Sequence, residues 1–289
     1  RRRRLVTQPV RPLLTAAAAR LREAGIESAA QDARILLSFV SGIELVRLPL
    51  LTELDDDHAR RFEKLISQRA DRVPVQHLTG RAHFRHIDVA VGPGVFVPRP
   101  ETEVMTGWAI DTLRPMITLH HRPLVVELGT GSGVIAKAIA SELTRADIHA
   151  VEISEEAAAY ARRNLADTLV ELHVADMADA LPEFNADVDL VIANPPYIPL
   201  EAYASVPPEV RDHDPALALF SGPDGLDAIR VVATVAARLL RPAGFVCIEH
   251  ADVQGDAAVE VLVRAGAFRG VRDHRDLTGR SRFVTAVRR

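Results

Sequence analysis

Between Val125 and Ala136 the chain reads VVELGTGSGVIA, and this stretch limits the available folds more than any other. A buried strand breaks at Gly129-Thr130-Gly131-Ser132-Gly133 and the chain re-enters as a helix at Val134. A strand that turns straight into a helix is half of a parallel crossover unit. The same alternation continues to the end of the chain. Strands are expected near 124–128, 148–153, 170–174, 188–193 and 244–249, and helices near 134–143, 155–165, 226–240 and 253–265. Two further runs, 268–273 and 282–287, flank Leu277-Thr278-Gly279 and read as a terminal antiparallel pair. The pattern predicts an α/β fold: a seven-stranded, mostly parallel sheet with its last strand reversed and helices on both faces.

The first part of the chain has a different character. Residues 12–72 look wholly helical, with Leu13, Leu14, Ala17, Ala18 and Leu21 at helical spacing and Gly25 as a stop. Further helices are expected over 29–40 and 55–70, the second opening on three aspartates that suit a helix N-terminus. Then Ile87, Val89 and Val91 alternate with polar or small neighbours, Gly92-Pro93-Gly94 signals a turn, and Val95-Phe96-Val97 reads as a return strand. Pro98 to Glu103 opens a helix running to about Leu113. The expected organisation is a small helical domain over 1–73, a β-hairpin linker over 74–100 and the main α/β domain over 101–289.

Nearly half of the 289 residues are hydrophobic, enough for a substantial core, which argues against disorder. The net charge of -4 argues against a dedicated nucleic-acid binder. Cys247 is the single cysteine, so no disulfide can form within the chain and a reducing compartment is the simpler expectation. No apolar run approaches the roughly 18 to 20 residues that cross a bilayer. Arg1 to Arg4 read as a solvated basic end, with no signal-peptide core behind them. A soluble, cytoplasmic protein is expected.

Glycines between a strand and a helix allow positive φ and let a ligand approach the backbone, while the helix offers unpaired N–H groups. Gly131-Ser132-Gly133-Val134-Ile135-Ala136 also fits the dinucleotide pattern, and Glu152 ends the next strand, where an acid would bind ribose hydroxyls. Asp176, after the third strand, is a further edge carboxylate or the cap of the turn that begins at Met177.

The second informative loop is Asn194-Pro195-Pro196-Tyr197, at the end of another buried strand. Neither proline donates a hydrogen bond and each fixes φ, so the carbonyls of Asn194 and Pro195 stay free and rigidly aimed. With the Asn194 side-chain carbonyl they can receive both hydrogens of a planar –NH2 group. Tyr197 can pack on the flat face of that group. Accepting its N–H bonds raises electron density on a weakly nucleophilic nitrogen, and fixed orientation lowers the entropic barrier.

This combination resembles the class I S-adenosylmethionine-dependent N-methyltransferases, a Rossmann-like fold. Pro74 to Gly80 (PVQHLTG), Val97 to Glu103 (VPRPETE), Asp224-Gly225-Leu226 and Asp276 to Arg282 (DLTGRSR) narrow the resemblance to the peptide chain release factor glutamine methyltransferases. The resemblance implies methylation of the glutamine side-chain amide (N5) in the Gly-Gly-Gln motif of class I release factors. By that likeness Asn194, Pro195 and Tyr197 are catalytic and Pro196 completes the substrate loop. The segment Gly129, Thr130, Gly131, Ser132 and Gly133 cradles S-adenosyl-L-methionine together with Asn194, Glu152 binds its ribose, and Asp176 and Met177 border the adenine. Met177 stands where the family has an aromatic residue, and His77 where it often has Tyr. The expectation is a monomer that uses no metal, needs no nucleic acid and touches no membrane.

Alternatives share parts of this pattern. The Asn-Pro-Pro-Tyr logic also serves adenine N6 methylation of DNA or RNA, which would need a basic cleft for a flipped base. An NAD-dependent oxidoreductase accounts for Gly131 to Ala136 and Glu152 but leaves Asn194 to Tyr197 unexplained, and a non-catalytic docking protein would show no turnover. His77, His83, His86, His120 and His121 read as surface or packing residues. Glu249 and His250 read as ordinary sheet-edge residues, and Arg99 and Glu101 as residues that could flank the cofactor.

Overall fold

The computed structural model describes residues 7–289, so the basic end at Arg1 to Arg4 lies outside the described residues. Two units emerge: one comprises the chain up to Arg81 with Pro207–His213, the other Ala82–Val206 with Asp214–Arg289.

In the first unit, β1 (Thr7–Pro9) leads into α1 (Val10–Glu23) and α2 (Ala29–Ser41), then β2 (Glu53–Asp55), α3 (Asp56–Ala70) and α4 (Val75–Thr79). Leu21, Leu36, Leu37, Phe62 and Ile66 form its core. Each such side chain contributes on the order of 1.5–3 kcal/mol by leaving water. The region is not wholly helical as its periodicity suggests. β1 and β2 pair antiparallel, Thr7 against Asp55, which seats Asp55 as the cap of α3; its carboxylate accepts from the N–H groups of Asp57 and His58. Three-residue strands are too short for the alternation that reveals a strand in sequence. Arg69, almost fully buried, pairs with Asp32 at 2.7 Å and with Glu209 at 2.8 Å. Removing one partner of such a buried pair typically costs about 3–5 kcal/mol.

The boundary between the units falls at the first residue of β3 (Arg81–Phe84), which with β4 (Ile87–Ala90) forms a hairpin turning at Arg85, where φ is +51°. The return strand expected at Val95-Phe96-Val97 is absent. Val95 and Val97 are buried outside any strand, Val95 with its N–H on the Gly92 carbonyl at 3.3 Å, and Ile87–Ala90 pairs with the segment before it instead. There follow α5 (Thr102–Leu113), β5 (Leu124–Leu128), α6 (Val134–Glu142), β6 (Asp147–Glu152), α7 (Glu155–Leu165), β7 (Glu171–Val174) and β8 (Val188–Ala193). After short helices α8 (Pro208–Arg211, in the first unit) and α9 (Ala216–Leu219) come α10 (Asp227–Leu239), β9 (Leu240–Glu249), α11 (Gly255–Arg264), β10 (Phe268–Arg275) and β11 (Ser281–Arg288).

The sheet order is β10-β11-β9-β8-β5-β6-β7, with β11 antiparallel to both of its neighbours. Alternation along the strands fills both faces. Val125, Leu190, Ile192 and Cys247 face a core shared with α5, α6 and α7, while Val126, Leu128, Val191, Val246 and Ile248 face one shared with α10 and α11. The chain fills the β5, β6, β7 side first, then crosses to β8 on the opposite side of β5. That reversal is the topological switch point at which open α/β sheets bind ligands. Among the described residues no helix is long and apolar enough to cross a membrane.

Candidate active site

β5 and β8 are adjacent and parallel, with Leu128 opposite Ala193. The residues that follow, Gly129 and Asn194, therefore leave the sheet side by side at its carboxyl edge, strands being about 4.8 Å apart. β6 flanks β5 on the other side and ends at Glu152. The two loops and the acid singled out from the sequence thus share the carboxyl edge of three adjacent strands.

The glycine loop turns by positive φ at Gly129, Gly131 and Gly133. A Cβ on Gly129 or Gly131 would meet no protein atom within 4 Å, whereas one on Gly133 would press on Leu165 at 3.1 Å. The first two glycines therefore keep a space open and the third lets α6 pack. Thr130 and Ser132 are buried; the Asn164 amide holds the Ser132 carbonyl at 2.8 Å. Glu152 accepts from the Gly131 N–H at 2.7 Å and the Ser154 N–H at 2.8 Å, one bond on each oxygen. Each oxygen keeps further acceptor capacity, so ribose hydroxyls can still bind there. The open cradle and this acid fit a nucleoside cofactor with a small charged tail.

Beneath the loop lies a residue that sequence inspection passes over. Glu127 is 1 % exposed, and its Oε2 accepts from the Thr130 hydroxyl at 2.7 Å and the Ala136 N–H at 2.9 Å. Burial pushes its pKa up to about 8, with Glu152 adding to the rise. An acid inside a buried strand was the available signal.

Asp176 and Met177 follow β7 further along the edge. The exposed Asp176 caps its own turn, accepting from the Ala178 N–H at 2.9 Å, and Met177 is half-buried against the cluster that contains Val151 and Ala180.

In the acceptor loop Pro195 is buried and Asn194, Pro196 and Tyr197 are half-buried. The main-chain carbonyls of Asn194 and Pro195 accept no backbone hydrogen bond among the described residues. The Asn194 Nδ2 donates to Thr102 Oγ1 at 3.3 Å, at the start of α5. The loop is clamped from behind: Gln254 Nε2 donates to the Tyr197 carbonyl at 3.0 Å and to the Asp224 carbonyl at 3.2 Å. A Cβ on Gly225, where φ is +76°, would sit 2.3 Å from that Tyr197 carbonyl, so only glycine fits. Burial also raises the pKa of the Tyr197 phenol well above its ordinary value, helped by the Glu249 carboxylate.

Glu249 and His250, expected as ordinary edge residues, are 1 % and 0 % exposed. His250 is held by the Ala251 carbonyl at 2.8 Å and Asp273 at 3.1 Å. Arg99 binds Asp214 at 2.5 Å and lies over the Phe96 ring. Among the described residues, the histidines weighed as metal ligands do not gather. The grouping with ligand spacing is His149, Glu171 and His173 on β6 and β7.

Comparison with known proteins is decisive at this point. Residues 12–80 match the PrmC N-terminal domain and residues 86–204 the methyltransferase small domain. A release factor glutamine methyltransferase of Streptomyces coelicolor is 48 % identical over 92 % of this chain and 94 % of its own length. The chain belongs to the release factor glutamine methyltransferase family. A second member, from Mycolicibacterium smegmatis, is 44 % identical over 96 % of this chain and 98 % of its own. In fold, a methyltransferase from Pyrococcus furiosus superposes with a TM-score of 0.51 at 19 % identity, covering 76 % of this chain and 98 % of that one. Membership in the release factor glutamine methyltransferase family accounts for two loops on adjacent strands, one built around glycine and the other around proline.

Proposed function

We propose that this protein transfers a methyl group from S-adenosyl-L-methionine to the side-chain amide nitrogen of the glutamine in the Gly-Gly-Gln motif of peptide chain release factors. The observation that carries this reading is the register of β5 and β8, which sets an open glycine cradle beside a turn of bare carbonyls. When bound, the cofactor supplies a methyl group activated by a positively charged sulfur.

The chain's own residues do the rest. Backbone at Gly129 and Gly131, together with Thr130, Ser132 and Gly133, shapes the pocket for the amino acid end, and Glu152 takes the ribose hydroxyls. Asp176 and Met177 border the base. Asn194 Oδ1 and the Pro195 carbonyl accept the two hydrogens of the glutamine amide, so its nitrogen faces the cradle with its electron density raised. Pro196 stiffens the turn and Tyr197 covers the flat face of the amide. The first unit is read as the docking surface for the release factor. The protein acts in the cytoplasm as a monomer, independent of nucleic acid, and needs no metal.

The test is incubation of purified protein with labelled S-adenosylmethionine and either a release factor or nucleic acid. Mass mapping is expected to place the methyl on the glutamine side chain. Label on adenine, or on neither substrate, would overturn the reading.

A further inference from the structure

We propose that Glu249 is a positioning residue for methyl transfer: acting through the Thr102 hydroxyl, its carboxylate holds the Asn194 side chain with Oδ1 facing the acceptor site. The inference rests on the reading of Asn194 as the group that accepts the substrate amide. β8 and β9 are parallel, with Ala193 opposite Ile248, so Asn194 and Glu249 are the next pair along the register. Thr102 is 2 % exposed and receives the Asn194 Nδ2 at 3.3 Å. Glu249 is 1 % exposed, its carboxyl lies beside the Thr102 and Tyr197 hydroxyls, and its buried Oε2 has no hydrogen-bond partner among the described residues.

An asparagine amide can present oxygen or nitrogen, and a hydroxyl can donate or accept. A carboxylate only accepts. Facing Glu249, the Thr102 hydroxyl turns its one hydrogen to the carboxylate and is left as an acceptor for Asn194. That fixes Nδ2 toward Thr102 and leaves Oδ1 for the substrate. Were Glu249 protonated, the relay could reverse, and Asn194 would then meet the glutamine –NH2 with a donor. The same carboxyl lies beside the Tyr197 phenol, so one buried acid acts on both ends of the acceptor loop.

The relay is sensitive to pH. Burial pushes the Glu249 pKa up to about 7; the Thr102 hydroxyl, Arg282 from β11 and the Tyr197 hydroxyl hold it down, while Glu101 before α5 adds to the rise. On its own strand the buried Cys247 thiol is pushed well above its usual value, in part by this carboxylate, and Arg282 is paired with Asp276 at 3.2 Å. Protonation below about 7 therefore removes the acceptor that orients the relay.

The experiment is steady-state kinetics of the full chain across pH with a release factor and labelled S-adenosylmethionine. Wild type is expected to lose kcat on the acid side with a one-proton limb near 7. Glu249→Gln and Thr102→Val are expected to lower kcat by roughly ten- to a hundredfold and to lose that limb, with KM values within about twofold. Thr102→Ser, which keeps the hydroxyl, restores both. If Glu249→Gln does not fold, as judged by its melt, the Thr102→Val and Thr102→Ser pair decides. Hydrogen exchange of the Asn194 side-chain amide by NMR gives a readout independent of turnover: slow in wild type, fast in Thr102→Val. A wild type that leaves release factor unmethylated defeats the functional reading alone, and the exchange measurement then judges the relay. Wild-type kcat and acid limb in both Glu249→Gln and Thr102→Val, or equal exchange rates, would overturn the proposal.

Discussion

Glu127 and Glu249 are two buried carboxyls, each lying behind one of the two loops, and they are satisfied differently. Glu127 sits under the glycine loop with a hydroxyl and a backbone N–H on one oxygen. Glu249 sits under the proline loop with an oxygen, Oε2, that has no hydrogen-bond partner among the described residues. Burial raises the pKa of both acids, to about 8 and about 7. The first ties a strand to the helix that follows it and has the partners of a structural group. The second has spare acceptor capacity and the Thr102 and Tyr197 hydroxyls as neighbours, which suits it to the tuning role proposed for it. The loops differ in the same sense. The glycine loop is soft backbone that leaves room; the proline loop is rigid backbone held from behind.

The largest effect that sharpens this contrast is expected at Asn194. Asn194→Ala should lower the rate of methyl transfer by roughly a hundredfold or more, the scale for losing a preorganised hydrogen-bonding group in a water-poor site. Calorimetry should find cofactor binding weakened far less than turnover, because the glycine cradle is intact and Asn194 is only one of the residues around the cofactor.

Next is a pair of glycine substitutions. Gly225→Ala drives a methyl into the Tyr197 carbonyl and should destabilise the fold by about 2 kcal/mol or more in denaturant unfolding. Gly129→Ala meets open space and should cost only about 1 kcal/mol, from its positive φ. Cofactor affinity should nevertheless fall sharply in Gly129→Ala. If both variants lose stability equally, the distinction between a roomy loop and a clamped one is wrong.

The third test concerns pH. The folded-state pKa of Glu127 lies above the ordinary 4.5, so its stabilising contribution is full below about 4.5 and disappears as pH rises through about 8. Glu127→Gln keeps an acceptor oxygen for Thr130 and Ala136 without ever ionising. Its melting temperature should exceed that of wild type at alkaline pH, and the gap should close toward pH 5. A gap of constant size would show that ionisation of Glu127 has no part in it.

The smallest effect is expected from Thr130→Val, which removes one of the two groups that hold the Glu127 pKa down. The loss should be about 1 kcal/mol, and the alkaline decline in melting temperature should run on to higher pH than in wild type, since Glu127 is then harder to ionise in the folded state. A decline that does not move would assign the pKa to burial alone.

Much of this was legible before any coordinates. The run 188–193 reads as a strand and is one: it is apolar apart from Asp189, as burial on both faces requires, and that buried carboxylate accepts from the Leu124 N–H at 2.8 Å and from Arg241 at 2.6 Å. The helix at Glu155–Leu165 is bounded as its spacing suggests, since Ser154 caps it through the Ala157 N–H. The short β1 and β2 strands and the hairpin pairing at Arg81–Phe84 were not legible. Their partners lie far along the chain or depend on which of two neighbouring segments wins the pairing.

Sequence alone determined the strand-loop-helix grammar and the family, because each rests on residue type and local spacing. Tertiary structure alone decided that Glu249, Thr102, Gln254 and Gly225 converge behind one loop. They are separated by up to scores of residues and meet only through sheet register and helix packing. Whether a carboxyl is a solvated edge group or a buried acid with an unsatisfied oxygen depends on what surrounds it, and no local pattern records that.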